Sequence, residues 1–252
     1  MSKEDNSLPR HDAVWQVERL RLSLFLSPTA ENTSNTSWEA ITGEPPSSME
    51  SQPRLGISQE SGPYGVGVLT LASLPQRIDC VLSARENEAL AFNLIARFSE
   101  ALESFKTIAI RLLASSPNLI RLAFGAALLQ PSDTRAIGYQ QLAAFLPYVR
   151  LDPENSSDFL YRINRRRASK VVEGAEINRL STWSVAALVN AQIPLLPAGK
   201  AVFTTECFAS RVELDINTAQ EWKADLPNDL LESLFQELTE LAIEIAEQGD
   251  RP

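Results

Sequence analysis

The segment VWQVERLRLSLFL, residues 14–26, contains the alternation that decides the fold class. Leucines occupy every second position from 20 to 26, whereas Arg19 and Arg21 occupy positions between them. Because successive side chains of a β-strand point to opposite faces, this pattern predicts a half-buried strand. One face of that strand is apolar and the other carries arginine.

Similar patterns continue along the chain. Residues 66–72 and 77–82 predict two strands that are close enough in sequence to form an antiparallel hairpin. Residues 98–114 place their apolar side chains on one stripe, as a core-facing helix requires. The remaining predictions are strands over 119–129, 158–167, 175–189 and 201–218, and helices over 133–146 and 227–248.

The order of these elements is βββα, then βα, then βββα. It lacks the long βαβ alternation of a parallel sheet. We therefore expect an α+β fold, a mainly antiparallel sheet with three main helices packed on one face, in a single domain over residues 1–252. We also consider two related βββα halves, 13–115 and 119–250, with the βα unit joining them.

Two stretches of the sequence are polar, and we expect both to lie outside the hydrophobic core. Residues 27–63 are rich in Ser, Thr, Pro, Glu, Asn and Gly, with one apolar island at 38–41. Their composition cannot bury enough apolar surface to offset the entropy of ordering, so they predict a long flexible loop. Residues 1–12 predict a disordered tail, and they lack the apolar core of a secretory signal.

Composition and charge restrict location and partners. No apolar run approaches the ~20 residues that a membrane-spanning helix needs. With two cysteines in apolar stretches, this predicts a cytoplasmic protein with reduced thiols and no membrane partner. The net charge of −9 disfavours nucleic acid as a partner, because non-specific affinity for it comes mainly from neutralising phosphates.

Few catalytic arrangements are compatible with this sequence. His11 is the only histidine and lies in the predicted tail, which excludes a Ser-His-Asp triad or a histidine zinc site in the body. We expect no metal and no cofactor. As an alternative, Glu213, Asp215 and Asn217 alternate along a predicted strand and could hold Mg²⁺ or Mn²⁺ in a metal-dependent hydrolase or nuclease. The competing interpretation pairs these acids with arginines on neighbouring strands.

Arginines provide the remaining functional signal, since they outnumber lysines 18 to 5. In the segment 159–167, FLYRINRRR, Arg162 and Arg166 point away from the predicted core. Arg19, Arg21 and Arg179 would share their sheet face. Such a face suits bidentate capture of carboxylate or phosphate. We therefore predict a non-catalytic binding or assembly protein that engages a protein partner, a second copy of itself or another anionic partner through this face.

The second half, about residues 159–245, carries FLYRINR at 159–165, VELDINT at 212–218 and a terminal amphipathic helix. In these motifs it resembles a sporadically distributed family of uncharacterised bacterial proteins. The resemblance implies a bacterial origin and an accessory role, and it assigns no activity to any residue.

Overall fold

The computed structural model describes residues 15–28, 36–87, 90–116, 118–192, 203–222 and 224–251. These residues form ten strands and four α-helices. In chain order the elements are β1 (Gln16–Leu26), α1 (Trp38–Thr42), β2 (Ser48–Gln52), β3 (Ile57–Tyr64), β4 (Gly67–Leu74), β5 (Arg77–Ala84), α2 (Phe98–Ala114), β6 (Leu119–Ser132), α3 (Arg135–Phe145), β7 (Leu160–Asn164), β8 (Arg167–Ala168), β9 (Glu176–Gln192), β10 (Phe203–Thr218) and α4 (Leu231–Gln248).

All the described strands belong to one sheet. Its order is β2-β3-β4-β5-β1-β6-β10-β9-β7, and β8 also pairs with β9. Each of these ladders is antiparallel. The predicted α+β class with a mainly antiparallel sheet is confirmed.

The sheet divides into two halves of similar topology. Strands β1 to β5 lie on one side and β6 to β10 on the other, and the halves meet at the β1–β6 ladder. Each half has the order strand, helix, four strands, helix. In each, the chain starts at the centre of the sheet, crosses to the edge and returns through antiparallel neighbours. The predicted βα linker is therefore wrong, because β6 and α3 begin the second half as β1 and α1 begin the first.

The helices pack against the face of the sheet that carries the leucines of β1. Leu20, Leu22 and Leu24 are fully buried there. The ring of Phe124 in β6 lies 6.4 Å from Phe105 of α2 and 6.0 Å from Phe235 of α4, so both helices meet at the central strand. Among the described helices, none has both the length and the apolar composition that crossing a bilayer requires.

The end of α4 is attached to the segment that contains β7. Asp250 accepts hydrogen bonds from the Tyr161 hydroxyl (2.8 Å) and from Arg165 (2.5 and 3.0 Å). The preceding Gly249 has a positive φ of 75°, and a Cβ there would overlap the backbone of the last residue of α3. These contacts join the C-terminal end of the described chain to both α3 and the sheet.

The prediction of a loop over residues 27–63 is wrong from residue 38 onwards, because this part contains α1, β2 and most of β3. Trp38 and Ile41 are buried, and the backbone N–H of Trp38 donates to the Glu60 carboxylate at 2.5 Å. Gly62 leaves room for the Trp38 ring, because a Cβ there would lie 3.0 Å from it. Polar residues form β2 and β3 because the backbone hydrogen bonds of β2 to β3, and of β3 to β4, need no apolar side chain. Residues 29–35 and the predicted tail, 1–12, lie outside the described residues.

Candidate anion-binding face

The sheet face opposite the helices carries six arginines, and we call it the open face. Alternation along the strands assigns its side chains. Ser210 of β10 bonds to Gly138 of α3, so odd-numbered residues of β10 point away from the helices. None of the described helices packs on the open face. Its arginines are Arg19, Arg21, Arg77, Arg121, Arg162 and Arg211.

One row of side chains crosses five strands of this face. Arg19 pairs with Ala127, which pairs with Glu213, then Thr182, then Arg162. Adjacent strands lie ~4.8 Å apart, so the two arginines are separated by about 19 Å along the sheet. Both arginines are exposed. A ligand that contacts both must therefore be extended.

The next row contains Arg21, Gly125 and Asp215. A Cβ on Gly125 would lie 3.5 Å from both Nε and Nη2 of Arg21, so the guanidinium lies over this glycine. Arg21 is half-buried, and its buried Nε has no hydrogen-bond partner. An unsatisfied buried donor is costly, so this guanidinium is a candidate for an external acceptor.

At the other end of β1, two arginines flank an aromatic ring. The guanidinium carbons of Arg77 and Arg121 lie over Phe25, 5.5 and 4.8 Å from its centroid. Arg77 also forms an ion pair with Asp79 at 2.7 Å, and Arg121 donates to Asn217 at 2.8 Å. These two arginines are therefore held by neighbours. Our sequence reasoning missed Phe25, although it shares the arginine side of β1.

The arginines of the open face differ in charge compensation. Arg211 forms ion pairs with Glu18 at 2.8 Å and with Glu213 at 3.0 Å. In contrast, Arg19, Arg21 and Arg162 have neither a hydrogen bond nor an ion pair to the described part of the chain. Uncompensated positive charge is therefore located at these three arginines.

The placement of Arg179 on this face was predicted and is wrong. It lies on the helix-facing side of β9, is 3% exposed and donates to Glu244 of α4 at 2.9 Å. Burial lowers the pKa of Arg179, and Glu244 opposes that effect. The sequence contains a signal for this position, because Ile177 and Trp183 share the side of β9 with Arg179 and both are buried.

Arg166 follows β7 at the margin of the sheet. It forms ion pairs with Glu221 at 2.9 Å and with Glu176 at 3.3 Å. The hydrogen bond to Glu221 contributes most to raising its pKa. Its charge is therefore compensated within the chain, unlike that of Arg162.

The proposed metal ligands do lie on one side of β10, but their polar atoms contact other side chains. Glu213 forms an ion pair with Arg211 at 3.0 Å, and Asn217 donates to Asp215 at 3.0 Å. The Asn217 oxygen accepts from Arg121 and also from an asparagine of β9. The described part of the chain contains no group of three or more His, Cys, Asp or Glu side chains that could hold a metal ion. The competing interpretation, in which these acids pair with arginines on neighbouring strands, is therefore wrong: both acids contact residues of β10 itself, and only Asn217 reaches an arginine of another strand, Arg121 of β6.

A cleft of about 270 Å³ opens beside Arg19 at one end of the open face. Sequence reasoning missed it, because its walls come from segments far apart in the chain. Comparisons of the chain with protein-family models, curated proteins and solved structures give no match. The resemblance of residues 159–245 to a bacterial family therefore remains a prediction.

Proposed function

We propose that this is a non-catalytic binding protein whose open face binds an acidic segment of a partner protein. The supporting observation is that Arg19, Arg21 and Arg162 lack ionic partners within the described chain, although the protein has a net charge of −9. Arginine presents a planar set of donors that matches a carboxylate. An extended acidic segment can reach all three along the sheet.

The same face fits nucleic acid less well. Glu213 and Asp215 lie between the arginines of β1 and that of β7, where they would repel a continuous phosphate backbone. Base stacking requires an accessible aromatic ring, yet the Phe25 ring is covered by two guanidinium groups. A protein segment can place its carboxylates selectively, so it avoids these acids.

A cytoplasmic location is part of this proposal. Cys80 and Cys207 are both free thiols, and a reducing compartment maintains thiols in that state. A protein partner, rather than a small substrate, follows from the separation of the unpaired arginines across the sheet.

The proposal can be tested with a fluorescein-labelled peptide of alternating Glu and Ser, measured by anisotropy at about 50 and 300 mM salt. We expect binding that weakens as salt increases. Replacing Arg19, Arg21 and Arg162 together by Ser should weaken it about tenfold or more, because exposed ion pairs contribute up to ~1 kcal/mol each.

A matched control removes three exposed arginines that lie outside the open face: Arg54, Arg150 and Arg251, each changed to Ser. This variant changes the net charge equally and should keep its affinity for the peptide. The proposal fails if wild-type protein does not bind the acidic peptide, or if both triple variants lose affinity equally. If the protein binds a short oligonucleotide more tightly than the acidic peptide, and the triple open-face variant loses that binding, nucleic acid is favoured as the partner instead.

A further inference from the structure

Four of the eight residues that line the cleft beside Arg19 are apolar. Ala84 comes from the end of β5, Ala91 and Phe92 come from the connection that leads to α2, and Leu188 comes from β9. The later part of this connection is held against β1, since Ile95 donates to the Val17 carbonyl at 2.7 Å. This hydrogen bond places the end of the connection next to β1, the strand that carries Arg19.

Leu188 reaches the cleft because the β9–β10 ribbon extends past its neighbour. Leu188 pairs with Cys207, whereas the ladder between β10 and β6 begins one residue later, at Phe208. Leu188 is 42% exposed, which leaves an apolar wall open to solvent. A partner side chain placed in the cleft would cover it.

The polar groups of the cleft leave one cation available. Glu18 is part of the lining, but its carboxylate forms an ion pair with Arg211 at 2.8 Å. The Asn93 carboxamide oxygen accepts from the backbone N–H of Asn87 at 2.9 Å. Arg19 is exposed and has no ionic partner in the described chain.

We propose that this cleft takes an apolar side chain of the acidic partner segment, while Arg19 pairs with a carboxylate next to that side chain. This inference rests on the proposed function and specifies the class of sequence that is bound. Its basis is that Arg19 belongs both to the cleft and to the row that ends at Arg162. An occupant of both must extend along the sheet, as a peptide does.

The cleft is large enough to hold one apolar side chain. Its volume of about 270 Å³ lies below the roughly 300–1,000 Å³ of typical small-molecule sites. Burial of a leucine side chain should tighten binding by about tenfold to a hundredfold. The combination of an apolar anchor and flanking carboxylates is therefore the expected recognition sequence.

The experiment compares two labelled acidic peptides that differ only at a central residue, Leu or Ser. Wild-type protein should bind the leucine peptide at least about tenfold tighter. Leu188→Ser should reduce this preference to less than about threefold and leave the affinity for the serine peptide unchanged. Leu188 is already exposed, so this variant should fold. Ala91→Phe, which fills the cleft, should have the same effect.

Leu160→Ser is the matched control, because Leu160 is a 66% exposed leucine of the open face outside the cleft. It should leave the preference for the leucine peptide intact. The inference is overturned if wild-type protein binds both peptides equally, or if the preference survives Leu188→Ser. In either case the proposed function stands as long as replacing Arg19, Arg21 and Arg162 together by Ser still weakens the binding of both peptides.

Other occupants give different results. Octanoate that binds more tightly than the leucine peptide would identify a small apolar carboxylate as the ligand. A concentration-dependent dimer that is lost in Leu188→Ser would identify a second copy of this chain. Each result overturns the assignment to a partner segment. Absence of binding to both peptides refutes the proposed function itself, and with it this inference.

Discussion

Replacing Arg179 by Ser should destabilise the protein, whereas replacing Arg162 by Ser should not. Both arginines lie on neighbouring strands, β9 and β7, of the same sheet. Arg179 points towards α4 and Arg162 points to the open face. The same chemical change therefore probes the two faces of one sheet.

The expected magnitude follows from burial and from the remaining partners. Arg179 is 3% exposed and bonds to Glu244, so its loss leaves a carboxylate with one ionic partner fewer. Breaking a buried ion pair costs about 3–5 kcal/mol. Here Glu244 is 29% exposed and keeps its two hydrogen bonds from Arg167, at 2.7 and 2.9 Å. We therefore expect about 2–3 kcal/mol for Arg179→Ser and at most about 0.5 kcal/mol for Arg162→Ser.

Thermal unfolding followed by circular dichroism measures this difference. A protein of this size loses about 2–4 °C of Tm per kcal/mol, so Arg179→Ser should lower Tm by about 4–12 °C and Arg162→Ser by less than about 2 °C. Arg179→Met keeps the aliphatic stem and separates the loss of charge from the loss of packing. The reasoning is refuted if the Tm of Arg179→Ser lies within about 2 °C of the wild-type Tm, or if Arg162→Ser lowers Tm as much as Arg179→Ser does.

Three further predictions concern the C-terminal end and the thiols. Gly249→Ala should cost about 3 kcal/mol or more in urea unfolding, because the positive φ and the overlap with α3 both oppose a side chain; an unchanged midpoint would contradict this. Burial raises the pKa of Asp250, but the hydrogen bonds from Arg165 and Tyr161 outweigh it and hold the pKa below its usual 3.8. The stability advantage of wild type over Asp250→Asn should therefore be complete above the usual pKa and decline as pH falls through the lowered one; an advantage that does not change with pH would be inconsistent with this coupling. Burial raises the pKa of Cys80 to about 12, so a thiol reagent should modify half-buried Cys207 first in the native protein, and equal labelling rates would show that Cys80 is accessible.

Local periodicity was sufficient for the elements that cross the core. The apolar stripe of residues 98–114 predicted α2 with the bounds that the structure shows, Phe98–Ala114. The alternation in residues 14–26 likewise predicted β1 and the side of it that carries arginine. Both succeed because burial of one face imposes the period of the element on its own residues.

Edge strands gave no such signal. β2 is exposed at all five positions, so no face of it needs apolar residues. It pairs with β3, which pairs with β4, and this addition uses backbone groups that every residue carries. The loop predicted from composition was therefore wrong for β2 and β3, because backbone hydrogen bonds to the neighbouring strand stabilise polar residues there.

The sequence by itself determined which side chains share a side of each strand, because alternation is a local property of extended backbone. It also determined that the net charge of the protein is negative and that many of its arginines fall in segments with the alternation of β-strands. Only the tertiary structure decided which side of β9 meets α4, and so buried Arg179 while Arg162 stayed exposed. It alone brought Leu188 beside Arg19, because the cleft depends on strand order and on the reach of the β9–β10 ribbon, which join residues far apart in the chain.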